Sequence, residues 1–405
     1  MTRRSAVGAF GGALLGTSRL KAAERPDDVY DARNKLLSTP AAQPYATPYF
    51  TNNETGAERF YSRFENVGGV MAGVGFEQNF TYLVHGRPDI YVFFDINPDV
   101  TEILVPFFGR LMEQAASRRE FLAALIGVPV SERDVRRLLE PRPQGPGEAL
   151  GQYLPGVVSS LLDRAPRDSR RRNFESRLAP ILDRRRIPES HRREALGWFG
   201  LLEEDMLAGG RFFAGSAAAW WTSGGNAARC RDVAGWLSTE PNYRMVRRYW
   251  RESRIVGVTG DIGGTSVEKL ARWLRERGGA QVTFLYLSNV GASVQGHQAP
   301  AYFAQLYRTL GLLPLAPTAW TLIAQGSNVA YLRTYARAAA FYDSLQQLST
   351  EAMSRLVELP LSHAVLGTRD DAIRKFEEQA RTMRPGDEMN RARAILLDEL
   401  DSITR

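Results

Sequence analysis

Apolar runs and helix-spaced apolar positions alternate along this chain. Residues 67–74 form a Gly-containing apolar run, which predicts a buried strand ending at Gly73-Val74-Gly75. A short helix is expected over 78–85. A second buried strand, rich in β-branched and aromatic residues, is expected over 89–96 and closes on Asp95. Helices follow at about 100–116 and 117–126, with Ile103, Phe107 and Leu111, then Phe121, Leu122 and Leu125, as their apolar faces. From 130 to 250 the spacing is helical, broken by prolines, and predicts no strand. Strand and helix alternate again from Arg254. Strands are expected at 255–259, 281–287 and 319–324, and helices at 300–312 and 328–346. Thr265-Ser266-Val267-Glu268 reads as a capping box opening another helix. No antiparallel closing strand is expected, and the last sixty residues read as helical and charged.

Strands separated by helices imply parallel pairing and right-handed crossovers. The expected fold class is therefore α/β, a Rossmann-like and mostly parallel sheet with a long helical insertion and a helical C-terminal tail. The expected divisions are 1–23 (export signal), 24–58 (extended lead-in), 59–128 and 253–346 (the two halves of the sheet domain), 129–252 (insertion) and 347–405 (helical extension).

Composition narrows the classes. The chain has 405 residues, 44% of them hydrophobic and 24% charged, as an ordinary globular protein has. No run of eighteen apolar residues occurs, so an internal membrane span is not expected. The single cysteine, Cys230, excludes an intrachain disulfide and a cysteine-based zinc site. The four histidines are too scattered in sequence to suggest a local metal motif, and no metal is expected.

The net charge of +7 invites the idea of an acidic partner until it is located. Residues 1–23 carry Arg3, Arg4, Arg19 and Lys21 and no acid. Residues 163–194 carry eleven arginines against six acids. The first segment has a basic start, a weakly apolar run to about Gly16 and small residues after it, the layout of an export signal. Its Arg3-Arg4 pair resembles the twin-arginine type, which implies export as a folded protein to the periplasm or beyond; without that signal the protein would stay in the cytoplasm. In the second segment acids are interleaved and no aromatic stacking pattern accompanies the arginines. It reads as a solvated helix face, with no nucleic-acid partner expected. The tryptophans at 198–250 read as the core of the insertion, or alternatively as an apolar wall over a pocket.

Chemistry concentrates at strand ends. Gly73-Val74-Gly75 stands between a strand and a helix, and Asp95 ends the next strand twenty residues beyond Gly75. Glycines let a backbone approach a ligand, a helix N-terminus favours negative groups, and a carboxylate accepts from ribose hydroxyls. With Asp261 after the third strand and Ser288-Asn289 after the fourth, this order resembles class I S-adenosylmethionine-dependent methyltransferases. More narrowly, Asn53-Glu54, Gly73-x-Gly75-x-x-Gln78-Asn79, Asp95-Ile96-x-Pro98 and Leu287-Ser288-Asn289-Val290 resemble a family of uncharacterised bacterial proteins with that Rossmann-like fold. The resemblance implies S-adenosylmethionine as cofactor, held by Gly73, Gly75, Gln78, Asn79, Asp95, Asn97, Asp261 and Ser288. It puts Asp95 on the ribose, Asp261 near the adenine and Ser288-Asn289 facing the methyl-transfer position, with Ser288, Asn289 and His297 as catalytic candidates.

The chain departs from that pattern in places. Met71 stands where methyltransferases carry an acid, Glu77 where they carry a third glycine, and the Asn/Asp-Pro-Pro-aromatic motif after strand four is missing. Gln78 replaces the last small residue of a nicotinamide-binding turn. An exported enzyme could not replenish S-adenosylmethionine, which favours a non-catalytic ligand-binding protein if the signal operates. A nicotinamide-dependent oxidoreductase is the third reading. Asp261-Ile262-Gly263-Gly264-Thr265 also resembles the phosphate loop of actin-like sugar kinases, though a helix rather than a strand is expected to follow it.

Overall fold

The computed structural model describes residues 24–40, 50, 57–139, 150–207, 235–288, 290, 299–325, 329–345 and 348, with a few helical positions between 373 and 397. Six strands build one sheet: β1 (Val70–Val74), β2 (Ile90–Asp95), β3 (Ile255–Thr259), β4 (Val282–Ser288), β5 (Leu315–Gln325) and β6 (Val329–Thr334). Their spatial order is β3-β2-β1-β4-β5-β6. The first five are parallel, and β6 alone is antiparallel, paired with β5. This is an α/β, Rossmann-like arrangement.

Each parallel strand is apolar on both sides because both faces are covered. Met71, Tyr91, Phe93, Ile255, Phe284 and Tyr286 point into one core, whereas Val70, Ala72, Val92, Val256, Val258 and Leu285 point into the other. The second core is closed by α11 (Thr265–Glu276), α12 (Ala299–Leu310) and α13 (Tyr335–Leu345). The first is far larger. It takes in α2 (Gln78–Gly86), a π-helical turn (Asp99–Leu104) running into α3 (Val105–Gln114), α4 (Arg118–Ile126) and α5 (Glu132–Leu139). It continues through α6 (Leu150–Leu162), α7 (Arg167–Arg185), α8 (Glu189–Leu196), α9 (Trp198–Leu207) and α10 (Glu240–Arg251).

Everything from α3 to α10 is thus the crossover between β2 and β3, grown into a layer that shares its core with the sheet. Aromatic contacts carry that continuity. Phe80 lies 4.9 Å from Phe93 and 5.0 Å from Trp236, ring centre to ring centre, and Phe121 lies 5.3 Å from Trp236. Trp198, Trp236 and Trp250 are all buried in this layer; Trp220 and Trp221 lie outside the described residues. Local signals set several of these helices. Ser117 caps α4 by accepting from the Glu120 N–H, and Gly127 ends it in the left-handed region at φ +80°. Ser131 and Asp134 form a reciprocal box at the start of α5, and Arg164 binds both Asp134 oxygens at 2.7 and 2.8 Å. Arg164 thereby holds the Asp134 carboxyl well below the usual range.

The arginines of 163–194 are largely spent on such carboxylates. Arg167 and Arg170 share Glu203, Arg171 pairs with Glu175, and Arg192 with Asp183. Arg184 and Arg185 reach Asp28 and Asp31. Those two aspartates stand on α1 (Pro26–Leu37), in a stretch expected to be extended. The extended expectation is corrected here, and the local reason is legible: Pro26 opens the helix, Asp27 and Asp28 occupy its first turn, and Lys35 its last. Helix α1 covers the outer edge of β3. Asn34 donates to the Gly257 carbonyl at 3.2 Å, and the Thr39 N–H donates to the Thr259 carbonyl at 2.9 Å. An otherwise bare sheet edge is closed in this way.

Three further expectations are corrected. The helix expected from 328 begins only at Tyr335, because Val329–Thr334 pairs antiparallel with β5, so a closing antiparallel strand does exist. This six-residue stretch, in which Val329, Tyr331 and Thr334 are β-branched or aromatic, takes its conformation from the neighbour it pairs with. The fifth strand begins at Leu315 rather than at 319. The capping box at Thr265 does not form. Gly264 is the cap residue and makes no side-chain bond, while Asp261 Oδ1 accepts the Gly263 N–H at 2.8 Å and Ser266 Oγ donates to the Asp261 carbonyl. The aspartate closes the turn earlier than a threonine at 265 could. The helical C-terminal tail lies almost entirely outside the described residues.

Helix α1 seats itself by inserting Tyr30 over a glycine. A Cβ at Gly257 would stand 2.0 Å from the Tyr30 hydroxyl, which donates to the Thr101 carbonyl at 2.6 Å. Gly257→Ala is expected to destabilise the fold by about 2–4 kcal/mol through overpacking. Tyr30→Phe is expected to cost about 1 kcal/mol from the lost buried hydrogen bond. Because the two sites touch, the double variant is expected to be more stable than the sum of the single losses predicts. Urea denaturation of the four proteins checks this; strict additivity would disprove the contact.

Candidate functional site

Because β1 pairs in parallel on both sides, its carboxyl end meets those of β2 and β4. Gly73 is in register with Phe93 and with Tyr286, which brings Gly75 level with Asp95 on one side and Ser288 on the other. The chain runs outward from β1 to β3 and then returns to start β4 beside β1. This reversal is the switch point at which open α/β sheets bind ligands.

Each residue here is placed for a stated reason. Gly75 has φ +87°, where a side chain would be strained, and a Cβ there would meet nothing within 4 Å among the described residues. The turn is therefore open on that side. Gly73 is a glycine for a different reason: a Cβ would stand 2.0 Å from Asn79 Oδ1 and 2.8 Å from the Tyr91 hydroxyl. Asn79, on α2, is completely buried. Its Nδ2 donates to the carbonyls of Val74 at 3.1 Å and Gly75 at 2.9 Å, and its Oδ1 accepts from Tyr91 at 2.8 Å. Gln78 is also buried, with Nε2 donating to the Tyr61 hydroxyl at 2.8 Å. Of these two residues expected to touch a cofactor, Asn79 braces the turn from beneath and Gln78 is bound to Tyr61. Glu77, just before Gln78, is buried with its carboxylate accepting from the Trp236 indole at 2.5 Å.

Asp95 is half-buried at the end of β2. Its Oδ2 accepts the Gly75 N–H at 3.1 Å and its Oδ1 the Asn97 N–H at 2.8 Å. Burial pushes its carboxyl up to about 6, against the lowering effect of the Asn97, Gly75 and Ile96 N–H groups. Asn97 Oδ1 in turn accepts the Asp99 N–H at 3.0 Å. Asp261 is exposed after β3, beyond Thr259, which is in register with Asp95. Ser288 has φ +52°, an unusual conformation for a side-chain-bearing residue and one that occurs at ligand sites. Gly75, Asp95 and Ser288 are thereby brought together, with Asp261 one strand further out; Asn289 and His297 lie outside the described residues.

Sequence reasoning passed over a second polar group beside this one. Asp99, at the start of the π-helical turn, is wholly buried, and its Oδ1 lies 2.5 Å from His191 Nε2 on α8. Burial pushes its carboxyl up to about 7, with the hydrogen bond and charge of His191 opposing. Glu102 is likewise raised by burial and accepts from Thr259 Oγ1, which also lies 2.6 Å from Thr101 Oγ1. Asp99 could have been noted as an acid just after the second strand. Nothing in the sequence links it to a histidine 92 positions away.

Among the described residues no cluster of three or more His, Cys, Asp or Glu side chains could hold a metal. No described helix is long and apolar enough to cross a membrane. A separate open groove of about 520 Å³ lies at the C-terminal end of α3, lined by Gln114, Glu120, Asn173 and Arg177 among others.

With this geometry in place, comparison with known families adds one finding. Residues 49–170 and 222–362 match the family described as a domain of unknown function (DUF7790), and the chain belongs to that family. The matched stretches contain all six strands together with Gly75, Asp95, Asp99 and Ser288, whereas His191 lies on the segment between them. A search of curated proteins gave no match.

The raised carboxyls have a consequence for stability. Asp95 and Asp99 bind protons more tightly in the folded chain than in the unfolded one, where their pKa is near 3.8. The folded state therefore holds more protons between pH 4 and 7, and stability falls as pH rises through that window. The expected loss between pH 4.5 and 8 is on the order of 5 kcal/mol for the two groups together. Asp99→Asn is expected to flatten this slope, and denaturation midpoints across that range would show it; an unchanged slope would remove Asp99 as its source.

Proposed function

We propose that this chain binds a nucleoside-bearing cofactor of the S-adenosylmethionine type at the carboxyl ends of β1, β2 and β4, and that it is methyltransferase-like. One observation carries the reading: the open left-handed turn at Gly75 stands level with the Asp95 carboxylate at the switch point. The residues present fit such a group. Asp95 Oδ2 accepts from the Gly75 N–H and Oδ1 from the Asn97 N–H, and a carboxylate so bonded keeps acceptor capacity for ribose hydroxyls. The empty space beside Gly75 lets the backbone approach the ligand.

S-adenosylmethionine would supply an activated methyl group to an acceptor. In the crevice, Asp95 would hold the ribose, the Gly73–Gly75 turn would pass along the amino-acid end, and Asp261 would stand towards the adenine. Ser288 would face the transferred group. Methyl transfer is an in-line displacement whose chief demand on a protein is alignment, so it requires no obligatory base. A second reading rests on Arg3-Arg4 in the export-like first segment. An exported protein would use the same crevice to hold a ligand without turning it over.

Protein purified from its native compartment and then denatured is expected to release an S-adenosyl compound detectable by mass spectrometry; a nicotinamide or flavin would overturn the methyltransferase reading. Calorimetry with S-adenosylhomocysteine is expected to show Asp95→Ala binding about 10- to 100-fold more weakly, the worth of a charged hydrogen-bond pair. Affinity in the unsubstituted protein is expected to fall below about pH 6, where Asp95 takes up a proton and loses acceptor capacity. Unchanged affinity in Asp95→Ala would remove that residue from the site. Residues 1–30 fused to a folded reporter are expected to direct it out of the cytoplasm, and retention would refute the export signal.

A further inference from the structure

The loop that presents Asp95 is tied to the inserted helical layer by a continuous run of hydrogen bonds. It starts at the Gly75 N–H on Asp95 Oδ2 and passes from Asp95 Oδ1 to the Asn97 N–H at 2.8 Å. It continues from Asn97 Oδ1 to the Asp99 N–H at 3.0 Å and ends with Asp99 Oδ1 on His191 Nε2 at 2.5 Å. Two successive Asx turns, at Asp95 and Asn97, therefore set the backbone between the strand end and Asp99. His191 is itself fixed. Its Nδ1 lies 3.3 Å from Glu194 Oε2 one turn along α8, and its ring packs edge-on against Trp198 at 5.9 Å.

The terminus of this run is costly in isolation. Asp99 is completely buried, and among the described residues its second oxygen has no hydrogen-bond partner. A buried carboxylate with one bond gives little net stability, so its attested use is to specify a geometry. Here the geometry is that of residues 95–99. The π-helical turn that begins at Asp99 also breaks the regular helix at this point, as such turns often do beside functional sites.

We propose that His191 is a positioning residue for the crevice: by holding Asp99 it fixes the 95–99 loop and so aims the Asp95 carboxylate, coupling the inserted layer to ligand binding. The coupling to a ligand rests on the nucleoside-cofactor reading above; the fixing of the loop does not. His191 acts through Asp99, as outer-shell groups do when they orient ligand-bearing residues. Its place on the segment between the two family-matched stretches means that α8, rather than the sheet itself, supplies this control.

Two isosteric variants separate positioning from simple burial. The side-chain amide of His191→Gln can reach Asp99 Oδ1 and donate to it, whereas that of His191→Asn is one carbon too short. Hydrogen exchange of the ligand-free protein is expected to show protection across 95–104 falling about tenfold in H191N and returning to within about twofold of the original in H191Q, while α9 is unchanged. Affinity for S-adenosylhomocysteine is expected to follow the same order. Equal protection in H191N and the unsubstituted protein would overturn the proposal, as would a loss that H191Q does not restore. Should H191N not fold, Asp99→Ala against Asp99→Asn gives the same comparison, since Asn still accepts from His191. If the unsubstituted protein does not bind S-adenosylhomocysteine, the cofactor reading fails, and the exchange comparison still decides whether His191 holds the loop.

Discussion

The parallel pairing of β1 on both of its sides governs the rest of this structure. A strand paired in parallel with two neighbours ends where they end, so the three connecting turns converge at one level. Those turns cannot all be filled by their own side chains, and the backbone groups they expose need partners. Gly75 meets that need by donating to Asp95, and Asn79 meets it from below by donating to the carbonyls of residues 74 and 75. The glycine pair is therefore asymmetric. Gly73 makes room for the brace inside the protein, and Gly75 leaves room outside it.

The same pairing explains why the two faces are so unequal. Right-handed crossovers send the β1–β2 and β2–β3 connections to one face and the later ones to the other. The β2–β3 connection is the long one, so its helices enlarge the first core without adding a second body. Phe80, Phe121 and Trp236 join that layer to the sheet by ring contacts. Bringing a layer of this size against the C-terminal end of β2 buries Asp99, and a carboxylate out of reach of water requires a partner from the same layer. His191 is that partner. Placement of the ligand-facing acid and seating of the inserted helices become a single problem in this architecture.

Much of this was readable along the chain. The strands at 90–95 and 255–259 follow from unbroken apolar runs, because a strand buried on both faces has no alternation to disguise it. Gly75 and Asp95 were legible together, since glycine tolerance of positive φ and a strand-ending acid are local properties. Gln78 and Asn79 show the limit of the same reasoning. They stand in the ligand-contacting register of the motif, yet their amides are turned inward, because the turn carbonyls and Tyr61 satisfy them there. Thr265 shows a second limit. Its capping pattern was sound as a pattern, but the helix starts one residue earlier, with Gly264 as its cap, and Asp261 and Ser266 close the turn before it.

By itself the sequence determined the α/β class, the carboxyl ends of the five parallel strands and the membership of Gly75, Asp95 and Ser288 among them. Those are consequences of local periodicity and backbone preference, which one stretch of chain carries alone. The tertiary structure decided that α1 seals the edge of β3, that residues 329–334 become an antiparallel strand, and that Asp99 and His191 meet. Each of these depends on a partner far away in sequence. An edge strand takes its conformation from the strand it pairs with, and a buried acid takes its partner from whichever helix packs over it; neither choice leaves a trace in the neighbouring residues.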